Sequence, residues 1–138
     1  MPGRAVVNQG TNFDTTGAWE IRIRDSRLWM DSNNSKQGTA SGNAKVSKGV
    51  WQHGAIVFNR GNISFYLTGE LDTSQKVSFR RFKTFDDGIK IGEREYSNAD
   101  NDFKGAIDDI LIYSRALKAD EISSLFNGRG FFSSVEND

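Results

Sequence analysis

The chain has no cysteine, one proline and one histidine in 138 residues. Without cysteine there is no disulfide framework, no thiolate zinc site and no cysteine nucleophile. With His53 as the single imidazole, histidine-rich metal sites are excluded. A Ser-His-Asp triad would have to turn on that one ring, and no Gly-x-Ser-x-Gly elbow occurs. Net charge is missing as well: 18 Lys and Arg balance 18 Asp and Glu. A neutral chain has no field with which to gather phosphates, which argues against nucleic acid and against polybasic membrane attachment. No apolar run approaches the ~20 residues of a spanning helix, and Met1-Pro2-Gly3-Arg4 lacks a signal-peptide core. The expectation is a soluble chain without membrane insertion, its secretion signal removed or never present.

What is there points to one folded domain over residues 1–138. Ten Phe, three Trp and three Tyr exceed what a disordered polar chain carries, and 14 Gly beside one Pro fit many turns joining short strands. Period-2 alternation recurs along the chain. Trp19, Ile21 and Ile23 alternate with Glu20, Arg22 and Arg24. After the turn Asp25-Ser26, Leu28 and Met30 alternate with Arg27, Trp29 and Asp31, which makes a hairpin with Trp29 on the polar side. Weaker alternation covers Thr39 to Val46, and Val50 to Phe58 is dense in apolar residues. Asn59-Arg60-Gly61-Asn62 reads as a turn into Ile63, Phe65 and Leu67, the clearest hairpin. Further strands are expected over Gln75 to Phe82, Ile89 to Ile91 and Phe103 to Tyr113. The one helix spans Lys118 to Phe126, with Asp120 and Glu121 near its start and Gly128 stopping it. These elements predict an all-β, antiparallel two-sheet β-sandwich with one short C-terminal helix.

Four segments in order carry a family resemblance. Phe103 to Leu117 (FKGAIDDILIYSRAL), followed by Asp120-Glu121-Ile122, resembles the closing signature of laminin-G-like domains, members of the concanavalin-A-like jelly-roll superfamily. Trp51-Gln52-His53 before Ala55-Ile56-Val57-Phe58 resembles that family's Trp-His-His strand, Phe65-Tyr66-Leu67-Thr68-Gly69 its Leu-Tyr-Val-Asp-Gly hairpin, and Ile91-Gly92 its Ile-Gly. The resemblance covers Ala18 to Phe126 and implies a jelly roll, with an extracellular or cell-surface setting. Two departures stand out. Thr68 occupies the position of a turn-capping Asp or Asn. Only Ala5-Val6-Val7-Asn8 is offered for strands that the family places before Trp19. An edge short of a strand must be covered by Arg4 to Asn8 and the Phe131-Phe132 tail, or by a homodimer pairing equivalent edges, which is the preferred solution.

Function has to come from a site, because this fold carries both enzymes and binding modules. Glycoside hydrolases on the jelly roll carry Glu-x-Asp-x-x-Glu. Here Glu70-Leu71-Asp72-Thr73-Ser74-Gln75 ends in Gln and reads as a solvated hairpin end, so a non-enzyme is expected. For ligand binding, Trp29 flanked by Arg27 and Asp31 on a polar sheet face is suited to stacking a sugar and hydrogen-bonding its hydroxyls, and Tyr66 offers a second platform. The competing reading is that Trp29 simply packs. Asp100 and Asp102 supply loop oxygens, and Asp108, placed by alternation beside Ile110 and Ile112, is a carboxylate expected to be buried and partnered. Together they form a candidate calcium set, against plain loop polarity. Trp51, Ile56, Phe58, Phe65, Leu67, Ile110 and Ile112 form the expected core. The leading reading is a lectin-like module for carbohydrate or a glycosylated surface, with calcium as a candidate aid. The alternative is a structural module for protein-protein contact.

Overall fold

The computed structural model describes residues 4–9, 18–32, 38–78, 88–93 and 102–128. It contains β1 (Arg4–Gln9), β2 (Trp19–Arg24), β3 (Arg27–Ser32), β4 (Gly38–Ser41), β5 (Gly54–Asn59), β6 (Asn62–Leu67), β7 (Glu70–Lys76), β8 (Lys90–Ile91) and α1 (Ala119–Phe126). One sheet has the order β4-β3-β2-β1-β8 and the other β5-β6-β7, with antiparallel pairing throughout. The short Ala5-Val6-Val7 segment thus becomes a strand between β2 and β8 and covers the edge that β2 would otherwise expose.

Three hairpins turn on two residues with positive φ each, the geometry that matches strand twist. These are Asp25 and Ser26 (50° and 59°), Arg60 and Gly61 (46° and 89°), and Thr68 and Gly69 (53° and 84°). Asp and Gly suit this backbone, whereas Thr68, β-branched, is strained there. Its Oγ1 donates to Leu67 O at 2.7 Å.

The three-stranded sheet is covered on both faces. On one, Ile63 and Phe65 meet Met30 and Ala40 of the other sheet, with Trp19, Ile21, Leu28, Ile56, Phe58 and Val77 around them. On the other, Tyr66 lies with Leu117 and Ile122 beneath α1, beside Ala55, Val57, Tyr113 and Leu125. The closing signature has a physical reason here. Arg115 forks onto Glu121 at 2.8 and 3.0 Å, Glu121 also accepts the Lys118 N–H at 2.8 Å, and Leu117 and Ile122 are the buried anchors.

β7 begins at Glu70, so the segment expected as a solvated hairpin end is a paired strand. Thr73 faces Phe65 and Leu71 faces Tyr66, which leaves Asp72 as the extra residue of a bulge. The bulge aims Asp72 at the loop after β4, where its Oδ2 accepts from Asn43 N at 2.7 Å and Ala44 N at 2.9 Å. Gly42 makes the approach possible, since a Cβ there would lie 2.7 Å from that oxygen. Gln75 completes the clamp: Oε1 accepts the Ser41 N–H at 3.2 Å and Nε2 donates to the Ser41 carbonyl.

Several expectations are corrected. Among the described residues, 103–118 forms no strand. Asp109 has φ 51°, and its N–H is taken by the Asp108 carboxylate at 2.8 Å, a local bend that interrupts extension. Leu111 and Ile112 are accordingly 58% and 56% exposed. Trp51 is 68% exposed because β5 starts only at Gly54. Of the expected core, Phe65 is fully buried, while Ile56, Phe58, Leu67 and Ile110 are half-buried. Phe131-Phe132 and the strand beyond Ser78 lie outside the described residues.

Candidate functional site

The β2–β3 hairpin builds one polar face. Because the turn is two residues long, Arg24 faces Arg27, Arg22 faces Trp29 and Glu20 faces Asp31, while Ile21, Leu28 and Met30 point to the core. Neighbouring strands extend these rows: Asn8 lies beside Glu20, Thr39 beside Asp31 and Ser41 beside Trp29.

The face is graded from buried to open. At its far end Asn8, Glu20 and Asp31 are buried, the two acids at 1% and 2% exposure. Buried charge must be paired. Arg22 supplies the pairing, with Nη2 2.7 Å from Asp31 and Nη1 3.8 Å from Glu20, and Asn8 Nδ2 donates to Glu93 O at 2.6 Å. In the middle, the Trp29 indole N–H donates to Arg24 O at 3.0 Å and the Arg24 guanidinium sits over the ring, 5.2 Å from its centroid. The ring is therefore held in place before any ligand arrives. At the open end stand Arg24 and Arg27.

The structure brings Trp29, Arg27 and Asp31 together on this face, as alternation requires. Asp31 is placed to hold Arg22, however, not to meet a ligand, because it is buried and ion-paired. Tyr66 is elsewhere: it is buried under α1, since the non-core side of β6 is the side that the helix covers. Arg22, Arg24, Glu20 and Asn8 were missed by sequence reading, although counting back from the Asp25-Ser26 turn places the first three beside Trp29.

Of the candidate calcium set, Asp102 and Asp108 fall within the described residues. Asp100 lies outside the described residues. Asp102 bridges to Ala5, and its backbone carbonyl accepts from Arg4 Nη1 at 3.4 Å. Asp108 is exposed rather than buried, because the bend at Asp109 turns it out of the expected alternation. Among the described residues no three acids or histidines converge on one point. His53, next to β5, packs its ring 6.0 Å from Phe126, and burial pushes its imidazole below the ordinary 6.5. Its Nδ1 is buried without a hydrogen-bond partner, which fits a packing role better than proton transfer. No helix among the described residues is long and apolar enough to cross a membrane.

Comparison with known proteins agrees with the fold. A protein from Bacteroides ovatus ATCC 8483, described as a candidate carbohydrate binding protein, superposes with a TM-score of 0.69 at 16% identity, over 89% of this chain and 36% of that one. An S-layer domain-containing protein from Clostridium thermocellum ATCC 27405 (residues 221-444) gives a TM-score of 0.50 at 21% identity, over 91% and 63%. The chain thus spans less than two thirds of either. No curated relative matches. The Laminin_G_3 family model matches residues 2–123, nearly the whole of both sheets and the helix, and the chain belongs to the concanavalin A-like lectin/glucanases superfamily.

Proposed function

We propose that this domain is a non-catalytic recognition module that binds carbohydrate or a glycosylated surface through the polar face of the β2–β3 hairpin. The carrying observation is Trp29, locked by its bond to Arg24 O and ringed by Arg22, Arg24 and Arg27. A preorganised indole offers apolar area to a sugar ring at small entropic cost, and guanidinium N–H groups beside it suit hydroxyl acceptors. The shared fold of a protein described as carbohydrate binding is in keeping with this reading. The Glu70-Asp72-Gln75 strand supports the absence of catalysis, since Asp72 and Gln75 are engaged in holding the sheets together. On a glycan array, Trp29→Ala should weaken the strongest signal by at least about tenfold while the melting temperature holds. Unchanged binding would remove the face from recognition.

A second reading, an assembly module, is favoured by the exposure of Trp51, Leu111 and Ile112 and by the unpaired outer edge of β5 among the described residues. On that reading the chain self-associates as a homodimer. Light scattering at micromolar concentration should then show a dimer that Trp51→Ser disrupts, and a monomer throughout would exclude it.

A further inference from the structure

The three arginines of the polar face have different surroundings. Arg22 is matched inside the protein by Asp31 at 2.7 Å and Glu20 at 3.8 Å. Arg24 and Arg27 stand directly opposite each other in the last pair before the turn. Like charges in that position repel and destabilise the pair. Asp25 comes within 3.6 Å of Arg24, but the two side chains are 57% and 40% exposed, so water screens the contact. Among the described residues no acid pairs with Arg27, whose Nε is buried without a hydrogen-bond partner. The acids of this face are thus at its buried end, and two under-compensated guanidiniums are at its open end, next to a fixed indole.

A guanidinium is planar and pairs best with a planar, bidentate anion, which favours a carboxylate. Trp29 lies two residues along β3 from Arg27, about 7 Å, a span that one pyranose ring with its exocyclic carboxylate covers. We infer that the site takes a uronic-acid sugar, its carboxylate drawing Arg24 off the indole to sit between Arg24 and Arg27, and its ring against the Trp29 face so freed. This rests on the carbohydrate-binding reading and narrows it. The anion relieves the repulsion between the two arginines, so binding is tied to charge as well as to shape.

The test compares uronate polymers, polygalacturonate, alginate and glucuronoxylan, each beside its carboxyl-reduced form, by calorimetry at low and at high salt. At least one acidic form should bind about tenfold or more tightly than its reduced counterpart at low salt, with the gap shrinking as salt rises. Arg27→Gln and Arg24→Gln, which keep much of the side-chain stem, should close that gap by weakening the acidic form far more than the reduced form, with melting temperatures no lower than that of the natural chain. Equal binding of every acid and its reduced form, or a gap that survives Arg27→Gln, overturns the inference and leaves the carbohydrate reading standing. Dextran sulfate binding better than every uronate overturns the carboxylate assignment in favour of general polyanion attraction. Failure to bind any of these polymers or any neutral glycan overturns both.

Discussion

The two faces of the three-stranded sheet are held in different ways. The inner face joins β6 to β3 and β4, earlier in the chain, through Ile63 and Phe65 against Met30 and Ala40, with Asp72 and Gln75 as polar clamps along one side. The outer face is closed by the C-terminal helix and the residues just before it, through Leu117 and Ile122. Its supports are an ion pair, Arg115 with Glu121, and a half-buried His53 against Phe126. The inner face depends on apolar burial between the two sheets and should fail only with the whole fold. The outer one can open locally and is sensitive to pH.

Truncation on the inner face should have the largest effect. Phe65→Ala removes a fully buried ring from between the sheets and should cost about 3 to 5 kcal/mol in urea unfolding, through lost transfer energy and the cavity left behind. An unchanged midpoint would show that the two faces do not differ in this way. Ile122→Ala, on the outer face, should cost about 2 to 3 kcal/mol, because its half-buried neighbours can partly collapse into the space. Amide exchange sharpens the contrast: α1 should lose protection in this variant while β6 keeps it. Equal loss in both would make the two cores one cooperative unit.

A smaller effect, of opposite sign, is expected at the β6–β7 turn that borders both faces. Thr68→Asn replaces a β-branched residue at φ 53° with one that tolerates this backbone, and should raise stability by about 1 kcal/mol. A fall would mean that the Thr68 Oγ1 bond to Leu67 O outweighs the strain.

The smallest effect is the acid response of the outer face. The Arg115 fork, then the Lys118 N–H, hold the Glu121 carboxyl down at about 2, from an ordinary 4.5. The unfolded chain therefore takes up this proton first, so the stabilisation is complete above 4.5 and fades as pH falls toward 2. Acid titration of α1 helicity should follow that window in the natural chain and flatten in Glu121→Gln. Identical profiles would detach the ion pair from helix docking.

The hairpins, the helix and the polar siting of Trp29 were legible in the sequence because they follow from local pattern: alternation, two-residue turns, and acids at a helix start. β7 was not, because its inward residues are Asp72 and Gln75, whose partners lie in and just after β4 and leave no apolar period. The 103–113 segment failed in the opposite sense. It alternates like a strand, but Asp108 and Asp109 close a bend that period counting does not register. Tyr66 was misplaced because facing away from one core does not mean facing water when a helix covers the other side. The burial of Asp31 beside Arg22 likewise depends on what lies over the sheet, which alternation cannot report.

The Ser41 contact also constrains how this domain can change. The nearest glycosidase-like pattern would require glutamate where Gln75 stands. An ionised carboxylate has no N–H for the Ser41 carbonyl and would set its lone pairs against it, while Asp72 would have to release the Asn43 and Ala44 amides to serve a substrate. An acid at that position would therefore loosen the two sheets before it could offer any reactivity.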